Sequence, residues 1–368
     1  MLLAHPSPEL YGSDRMLLAS VQALVGAGRR AVVVLPKGGP LEPELRAAGA
    51  AVRLLDVPVL RRSAMSPGGL IRLAAGVLRT LPAMLRVLRD THPDVVYVST
   101  LTQPSWLLAA RLARVRAVCH VHEAEQRAGR TVRTLLAAPL LLADVVLVNS
   151  AAARDALDVL PRAQARSRVL HNGVPGPPCP PEPAHRSGPA HLVVVGRLSP
   201  RKGTDVALAA LARLASRGAD VRLSLVGDAY TGYEWYAQRL QQQVADDGLD
   251  ERVAFAGFQA DVWPWLAAAD VVLVPSREEP FGNVAVEAAL ALRPVVASAV
   301  QGLLEIVEPG VSGVLVAPDD PAALAEAVDG LLADPAQALA LAERARSDAL
   351  ARFGLEQYGR GLLDALEA

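Results

Sequence analysis

A short basic turn carries the first residues that could do chemistry. It reads Gly196-Arg197-Leu198-Ser199-Pro200-Arg201-Lys202-Gly203, follows a buried strand pattern at 191–196 and precedes a helical pattern at 205–216. Arg197 and Lys202 stand beside a helix N-terminus, where cations and backbone N–H groups bind anions such as phosphate. The spacing differs from that of a Walker phosphate loop. A solvated basic turn is the alternative interpretation.

An acidic segment, residues 278–287, follows the strand pattern at 271–275. It contains Glu279 and Glu287, and helical spacing begins at Asn283. Carboxylates accept hydrogen bonds from sugar hydroxyls, and the N–H groups of a first helical turn bind phosphate. The alternative is an ordinary acidic turn that the helix dipole favours.

A histidine pair ends one strand of the first half, in the run His120-Val121-His122-Glu123. A strand-end histidine can hydrogen-bond a substrate or carry a proton. No neighbouring ligand spacing supports a metal site there. A purely structural role for both histidines is the alternative.

A glycine-containing loop, Gly12-Ser13 within residues 9–15, leads into a helix predicted at 16–25. Glycine at a helix start lets a phosphate or sugar approach the backbone closely. The loop lacks the GxGxxG spacing, and no acidic residue follows at the distance that ribose recognition needs. A dinucleotide-binding site is therefore not indicated.

Strands and helices alternate along the whole chain and must position these residues. Continuous apolar strands of this kind are typical of parallel sheets covered on both faces. Strands are predicted at 31–35, 51–55, 95–99, 117–121, 145–149 and 168–171 after a short one at Met1, and then at 191–196, 221–227, 253–255, 271–275, 295–298 and 314–316.

A proline-rich segment divides the two sets of strands. Residues 175–189 contain seven prolines, which neither a helix nor a central strand tolerates, so an extended inter-domain linker is predicted. The fold class is therefore α/β, with Rossmann-like domains at 1–174 and 190–354 whose parallel sheets face each other across a cleft. Ligands of such sheets bind beyond the carboxyl ends of the strands.

Composition narrows the class of protein further. The chain has 368 residues, 52% of them hydrophobic, and a net charge of −1, which argues against disorder and against a nucleic-acid partner. Cys119 and Cys179 are too few for a disulfide framework and suggest a reducing compartment. Residues 1–30 lack a signal-peptide pattern, and the apolar stretch 135–148 is too short to span a membrane. A cytoplasmic location is predicted.

These motifs together resemble the family 4 glycosyltransferases, also called glycosyl transferase group 1, of the GT-B fold. The resemblance runs in order through almost the whole chain. It rests on Gly12-Ser13, His122, Val148-Asn149-Ser150, His171-Asn172-Gly173-Val174, the basic turn 196–203, Leu225-Val226-Gly227-Asp228, Gly257-Phe258, Glu279 through Glu287 and Gly302-Leu303-Leu304-Glu305.

The resemblance implies a retaining transferase that moves a sugar from a UDP- or GDP-linked donor to an acceptor. In this family the C-terminal domain binds the donor, the N-terminal domain offers the acceptor, and a terminal helix, here 355–366, crosses back onto the first domain. The acceptor would be a glycan, a lipid-linked molecule or a small molecule, as in polysaccharide or glycolipid synthesis.

Residue roles are carried over from the same resemblance. Arg197 and Lys202 would contact the diphosphate, Glu287 the ribose and Glu279 the donor sugar. His122 would lie near the reaction centre. The remaining donor contacts would come from Gly12, Ser13, Phe258, Phe281, Gly282, Asn283 and Val284, with Phe258 beside the base. The Gly12-Ser13 loop departs from the two glycines of many relatives.

No metal or other cofactor is expected. Transfer builds negative charge on the departing phosphate, and two cations can stabilise it without a metal. The sequence contains no Asp-x-Asp pair, the motif that holds a metal-bound diphosphate in the other common transferase fold.

An arginine-rich stretch, residues 57–89, suggests an additional partner. It has no acidic residue and six arginines: Arg61, Arg62, Arg72, Arg79, Arg86 and Arg89. The sevenfold spacing of three of them predicts one basic helical face, which could lie on the anionic inner leaflet of a membrane. A phosphorylated acceptor or an ordinary solvated face are the alternatives.

Three other functions remain open. A GT-B sugar-nucleotide epimerase would bind the same nucleotide without an acceptor. A non-catalytic GT-B partner subunit would keep the fold but lose the Arg, Lys or Glu residues, which are all present here. An NAD-dependent oxidoreductase is disfavoured by the missing glycine fingerprint.

Overall fold

The computed structural model describes residues 1–10, 12–60, 67–124, 129–186, 188–229 and 232–367. Two compact units contain them: residues 1–173 with 355–368, and residues 174–354. Arg61 and Arg62 of the arginine-rich stretch lie outside the described residues.

The first unit is built on a parallel sheet, for which the described residues supply seven strands in the order β3-β2-β1-β4-β5-β6-β7. The strands are β1 Leu2–Ala4, β2 Val32–Leu35, β3 Ala51–Leu54, β4 Val95–Val98, β5 Arg116–Val121, β6 Val145–Val148 and β7 Ser167–Val169. The helices are α1 Gly12–Gly26, α2 Leu41–Ala47, α3 Pro67–Thr91, α4 Ser105–Ala113, α5 Arg130–Ala137, α6 Ala151–Asp155, α7 Pro161–Ala165 and α15 Leu355–Glu367.

The second unit repeats this plan with six described strands in the order β10-β9-β8-β11-β12-β13. They are β8 Ala190–Val195, β9 Val221–Val226, β10 Val253–Gly257, β11 Val271–Val274, β12 Val295–Ser298 and β13 Val314–Val316. The helices are α8 Thr204–Ser216, α9 Glu234–Asp246, α10 Trp263–Ala267, α11 Asn283–Leu290, α12 Leu303–Ile306, α13 Pro321–Ala333 and α14 Pro335–Arg352. The predicted α/β class with two Rossmann-like sheets is confirmed.

The central strands of each sheet are buried on both faces. In β1, Leu2 and Ala4 pack into one apolar cluster and Leu3 into another. In β11, Leu273 and Val272 likewise contribute to different clusters. Successive strand residues point to opposite faces, so unbroken Val and Leu runs supply two core layers at once.

The terminal helix α15 packs in the first unit, where Tyr358 and Leu362 are buried with residues of α1 such as Leu24. Its last turn also contacts the sheet, since Arg116 Nη1 donates to the carbonyl oxygen of Leu366 at 2.9 Å. The proline-rich segment clusters with the second unit, and Arg293 Nη1 donates to the carbonyl oxygen of Glu182 at 2.7 Å.

Several predicted element bounds differ from the structure, and two of these differences bear on the site. Helix α1 begins at Gly12 rather than at residue 16, so Gly12 and Ser13 form its first turn. Asp14 stands in that turn, where a carboxylate complements the helix dipole. Strand β7 ends at Val169, whereas it was predicted to reach His171. His171 lies beyond the residues that pair with β6.

Candidate functional site

The basic turn after β8 is shaped by two glycines. Gly196 has a φ of +144° and Gly203 a φ of +66°, both in the region that favours glycine. A Cβ on Gly203 would lie 1.9 Å from the carbonyl oxygen of Pro275, just beyond β11. The turn, which includes a 3₁₀ segment at Pro200–Lys202, is thus pressed against the loop that follows β11.

Lys202 and Glu279 meet where these two segments come together. Lys202 Nζ lies 2.5 Å from Glu279 Oε2, and Ser276 Oγ donates to the same oxygen at 3.1 Å. The lysine stem runs beside Gly196, where a Cβ would lie 3.6 Å from Cε. The Glu279 backbone N–H donates to Gln301 Oε1 at 2.7 Å, so the carboxylate is held from several sides.

Charge keeps Glu279 ionised despite its burial. Burial alone would raise the pKa of Glu279, but the charges of Lys202 and Arg201 and two side-chain hydrogen bonds outweigh it. The net pKa lies below its usual value. A fixed, ionised carboxylate therefore lies beside the Lys202 side chain at neutral pH.

Sheet topology explains why the pair is a candidate ligand site. β8 is flanked by β9 and β11, so the strand order reverses between β8 and β11. In open α/β sheets, ligands bind at this switch point, beyond the carboxyl ends of the strands. The turn with Lys202 follows one of these strands and Glu279 follows the other.

The start of α11 adds backbone donors to the same loop. Gly282 has a φ of +121°, and a Cβ there would lie 2.7 Å from Leu303 Cδ2. The helix begins at Asn283, with Val284 in its first turn. Glu287 follows one turn later and is buried.

The side chain of Phe281 packs in the core, while its backbone lies in the loop that leads into α11. Its ring lies in the core, edge-to-face with Phe353 at 5.5 Å. A ligand contact predicted for Phe281 can therefore come from its backbone rather than its ring.

The other predicted donor residues flank these loops. Arg197 directly follows Gly196 and is partly buried. Phe258 follows β10 and is exposed. Gly227 lies where the ends of β8, β9 and β10 meet. Its N–H donates to the carbonyl oxygen of Gly257 at 2.9 Å, and a Cβ on Gly227 would lie 2.0 Å from the carbonyl oxygen of Gly196.

A clamp that the sequence analysis missed holds the basic turn. Arg277 donates through Nη1 and Nη2 to the two carboxylate oxygens of Asp205, each at 2.8 Å. It also donates through Nη1 to the carbonyl oxygen of Pro200 at 2.6 Å and through Nε to Asp319 at 2.5 Å. Its backbone N–H donates to the carbonyl oxygen of Arg201 at 2.8 Å.

The Arg277 clamp ties together the loops that follow β8, β11 and β13. A bidentate arginine–carboxylate pair fixes geometry as well as charge. The only sequence signals for it are a strand-end arginine and an acidic first helical turn, and neither identifies the partner.

In the first unit, His122 is partly buried beyond β5 and lies beside the buried His120. Its ring is 4.1 Å from that of His120, whose Nδ1 lies 2.5 Å from the Tyr97 hydroxyl. Desolvation and the neighbouring His5 lower the pKa of His122 to about 3, although Asp14 acts in the opposite direction. The imidazole is therefore neutral at physiological pH.

A second buried network, not predicted, joins β1, β4 and α1. Asp14 Oδ1 accepts a hydrogen bond from His5 Nε2 at 2.6 Å, and His5 Nδ1 is hydrogen-bonded to Ser99 Oγ. These residues meet at the switch point of the first sheet, between β1 and β4. The network fixes the first turn of α1, which contains Gly12 and Ser13.

Within the described part of the chain, no three His, Cys, Asp or Glu side chains are grouped so that they could hold a metal ion. Likewise, none of its described helices is long and apolar enough to cross a membrane.

Comparison with known families identifies the group to which this chain belongs. The family model Glycosyltransferase Family 4 matches residues 11–175, and the model Glycosyl transferases group 1 matches residues 189–334. The two matches span most of the chain in consecutive order. The chain is a member of glycosyltransferase family 4.

Curated relatives of this family 4 member include enzymes with different acceptors. Glycogen synthase of Mycobacterium tuberculosis is 33% identical over 277 residues, which are 70% of this chain and 64% of that protein. D-inositol 3-phosphate glycosyltransferase of Frankia alni is 40% identical over 179 residues, 47% of this chain and 44% of that protein. The match thus spans less than two thirds of the length of either relative.

Solved structures match the family 4 chain over its full length. The crystal structure of HepE from Anabaena in complex with UDP and glucose has a TM-score of 0.83 and 26% identity, covering 100% of this chain and 99% of that one. Sucrose-phosphate synthase from Thermosynechococcus elongatus, at 24% identity and a TM-score of 0.75, has the same fold.

Proposed function

We propose that this family 4 chain transfers a sugar from a nucleotide-sugar to a hydroxyl group of an acceptor, with retention of anomeric configuration and without a metal. The observation that carries the proposal is the Lys202–Glu279 pair at the switch point of the second sheet. A cation suits a diphosphate, and a fixed carboxylate suits sugar hydroxyls.

Lys202 and Arg197 bind the diphosphate in this proposal. The Lys202 ammonium has three donors, and its bond to Glu279 uses one of them, which leaves capacity for phosphate oxygens. Each charge-assisted bond contributes about 1.5–3 kcal/mol. The backbone N–H groups around Gly282, Asn283 and Val284 add the partial positive charge of a helix start.

Glu287, Glu279 and Phe258 complete the donor site. Glu287 accepts hydrogen bonds from the ribose, and Glu279 accepts them from the donor sugar. Phe258, exposed after β10, packs beside the base. UDP is the nucleotide we favour, because HepE, which matches this chain over its full length, was crystallised with UDP and glucose.

The proposed step breaks the bond between the anomeric carbon and the phosphate oxygen and forms one to the acceptor oxygen on the same face. The acceptor proton passes to the departing phosphate, so no separate general base is needed. Arg197 and Lys202 stabilise the charge that develops on that phosphate. His122 contributes a neutral hydrogen-bonding imidazole near the donor sugar, in line with its low pKa.

In this proposal the second unit binds the donor, and the first unit contributes to acceptor binding. Acceptors range from glycans to lipid-linked and small molecules, since the curated relatives include a glycogen synthase and an inositol phosphate glycosyltransferase. Cys119 and Cys179 are both unpaired thiols, in keeping with a cytoplasmic enzyme.

A donor screen tests the proposal. The protein is incubated with UDP-glucose, UDP-galactose, UDP-N-acetylglucosamine or GDP-mannose in a buffer that contains EDTA. Each donor is paired with an acceptor that contains glucose, one that contains inositol and one that is linked to a lipid. We expect release of one nucleoside diphosphate, and proton NMR of the product should give the anomeric configuration of the donor. Inversion, or an absolute need for Mg²⁺, would contradict the mechanism.

We further propose that α3 docks on an anionic membrane surface. Ile71 and Leu78, each 69% exposed, lie seven residues apart on this helix. The adjacent Arg72 and Arg79 are exposed as well. Apolar side chains beside arginines are typical of helices that lie in the headgroup region.

Vesicle flotation tests this docking. Vesicles with phosphatidylglycerol should bind the protein at low salt, and pure phosphatidylcholine vesicles should not. Ile71→Ser with Leu78→Ser should abolish binding, whereas the control Leu112→Ser, at an exposed leucine of α4, should not. Absence of binding at low salt would refute the docking and leave the transfer reaction unaffected.

A further inference from the structure

Two aromatic rings stand exposed side by side at the start of α9. Tyr233 is 41% exposed and Trp235 is 51% exposed. Their ring centroids are 6.5 Å apart and their planes are inclined by 29°. The chain has only four Trp, six Tyr and four Phe residues, so aromatic side chains are scarce in it. Single exposed apolar side chains are ordinary, whereas a contiguous exposed apolar patch is a candidate binding site.

The pair is anchored to the strand ends that carry the donor site. It follows β9, whose neighbour β8 leads into the basic turn. Trp235 packs edge-to-face on Tyr236 at 5.7 Å. The Tyr236 hydroxyl in turn donates to Asp205 Oδ1 at 2.6 Å, and Asp205 is the carboxylate that Arg277 holds.

The surroundings favour a small polar ligand over a protein partner. Glu234, which stands between the two rings in sequence, is an exposed carboxylate, and Asp228, earlier in the same segment, is exposed as well. The exposed residues that follow on α9, Gln238 and Arg239, are polar, so the two rings have polar neighbours on the C-terminal side. Stable protein interfaces need roughly 20–30 residues a side.

Sugar rings combine the two features that this surface complements. Their C–H faces pack on flat aromatic rings, and their hydroxyls donate to carboxylates. We propose that Tyr233 and Trp235 form a carbohydrate-stacking site that holds a sugar ring of an oligosaccharide acceptor. The proposal rests on the proposed transferase function and narrows its acceptor class to glycans of more than one ring.

Binding of defined hexasaccharides tests the site. Maltohexaose, cellohexaose and mannohexaose are titrated against the full chain by calorimetry and by tryptophan fluorescence, and UDP is titrated separately. At least one hexasaccharide should bind, and Trp235→Ala should weaken it by about tenfold or more, with a smaller loss for Tyr233→Ala. UDP affinity should stay unchanged in both variants.

Leu350→Ala removes an exposed side chain of α14 in the same unit and serves as the control, for which glycan binding should be unaltered. If UDP binds but none of the three glycans does, the stacking site is refuted and the donor site stands. If Trp235→Ala weakens UDP as much as the glycan, the rings stack on the base and the proposal is wrong. If a glycan binds but UDP does not, the result contradicts the proposed donor site only.

Discussion

Lys202 Nζ lies 2.5 Å from Glu279 Oε2, although 77 positions separate the two residues in the sequence. The contact joins the turn after β8 to the loop after β11, the two segments that flank the switch point of the second sheet. Both side chains are largely buried, so each depends on the other for compensation of its charge.

Lys202→Ala should lower transfer by ten- to a hundred-fold or more, because it removes a cation from the departing phosphate. It should also destabilise the second unit by about 3 kcal/mol, since Glu279 is left without its partner. Steady-state kinetics and urea unfolding measure the two effects.

The chain has two lysines, and the exposed Lys37 provides the matched control. Lys37→Ala should change neither quantity. The double variant Lys202→Ala, Glu279→Gln should recover stability without recovering activity, because it removes the unpaired charge but not the need for a cation. Full activity of Lys202→Ala would refute its role.

Arg277→Ala should raise the KM for the donor by about tenfold, because the turn that carries Lys202 loses its bidentate anchor on Asp205. Arg277→Lys should have an intermediate effect, since an ammonium group cannot reproduce the planar pair. The KM for the donor and the kcat are measured for each variant at a temperature at which every variant is folded.

Arg217→Ala is the control for the clamp, because the Arg217–Asp329 pair is exposed and contributes little. A lower melting temperature for Arg277→Ala with an unchanged KM would mean that the clamp only stabilises the unit and does not position Lys202.

Gly203→Ala should destabilise the second unit by several kcal/mol, because the added Cβ would lie 1.9 Å from the carbonyl oxygen of Pro275. Gly218→Ala also adds a Cβ at a residue with a positive φ, +81°, but no atom lies within 4 Å of that Cβ. Its cost should be about 1–2 kcal/mol. Equal losses of unfolding free energy in the two variants, measured by urea unfolding, would show that the positive φ and not the close contact with Pro275 sets the cost.

The stability of the first unit should fall as the pH drops from about 6.5 towards 3. Folding lowers the pKa of His122 from 6.5 to about 3, so below 6.5 the unfolded chain binds a proton that the folded chain does not. This residue alone contributes a slope of at most about 1.4 kcal/mol per pH unit, and above pH 6.5 its effect is nil.

Urea unfolding at pH 7.5 and 5.5 checks this dependence. His122→Asn should lose less stability than the unsubstituted chain between the two pH values. An identical loss in both proteins would contradict the low pKa of His122.

Sequence patterns predicted the strands well, because valine- and leucine-rich runs such as β4 and β11 have few alternatives in an α/β fold. They also brought Lys202 and Glu279 to the same edge, since each lies in the segment that follows a strand. The start of α1 was missed because glycine and serine at 12 and 13 are typical of a loop as well as of a first helical turn.

Side-chain partnerships were beyond the reach of the sequence. The contact of His5 with Asp14 and Ser99 depends on strand order and on the path of α1, which no local pattern encodes. Arg277 could equally have been a solvated arginine, and only the packing of three loops gives it Asp205, Asp319 and the carbonyl oxygen of Pro200.

Nucleotide binding in EDTA is the most direct test of the donor site. Thermal shifts with UDP, GDP, ADP, TDP and NAD are measured for the unsubstituted chain, Lys202→Ala and Lys37→Ala, with and without Mg²⁺. A ligand at a hundred times its Kd should add about 2.7 kcal/mol of stability. We predict a shift with UDP or GDP that is indifferent to Mg²⁺, retained in Lys37→Ala and lost in Lys202→Ala. A shift with NAD alone, or a UDP shift that survives Lys202→Ala, would contradict the account.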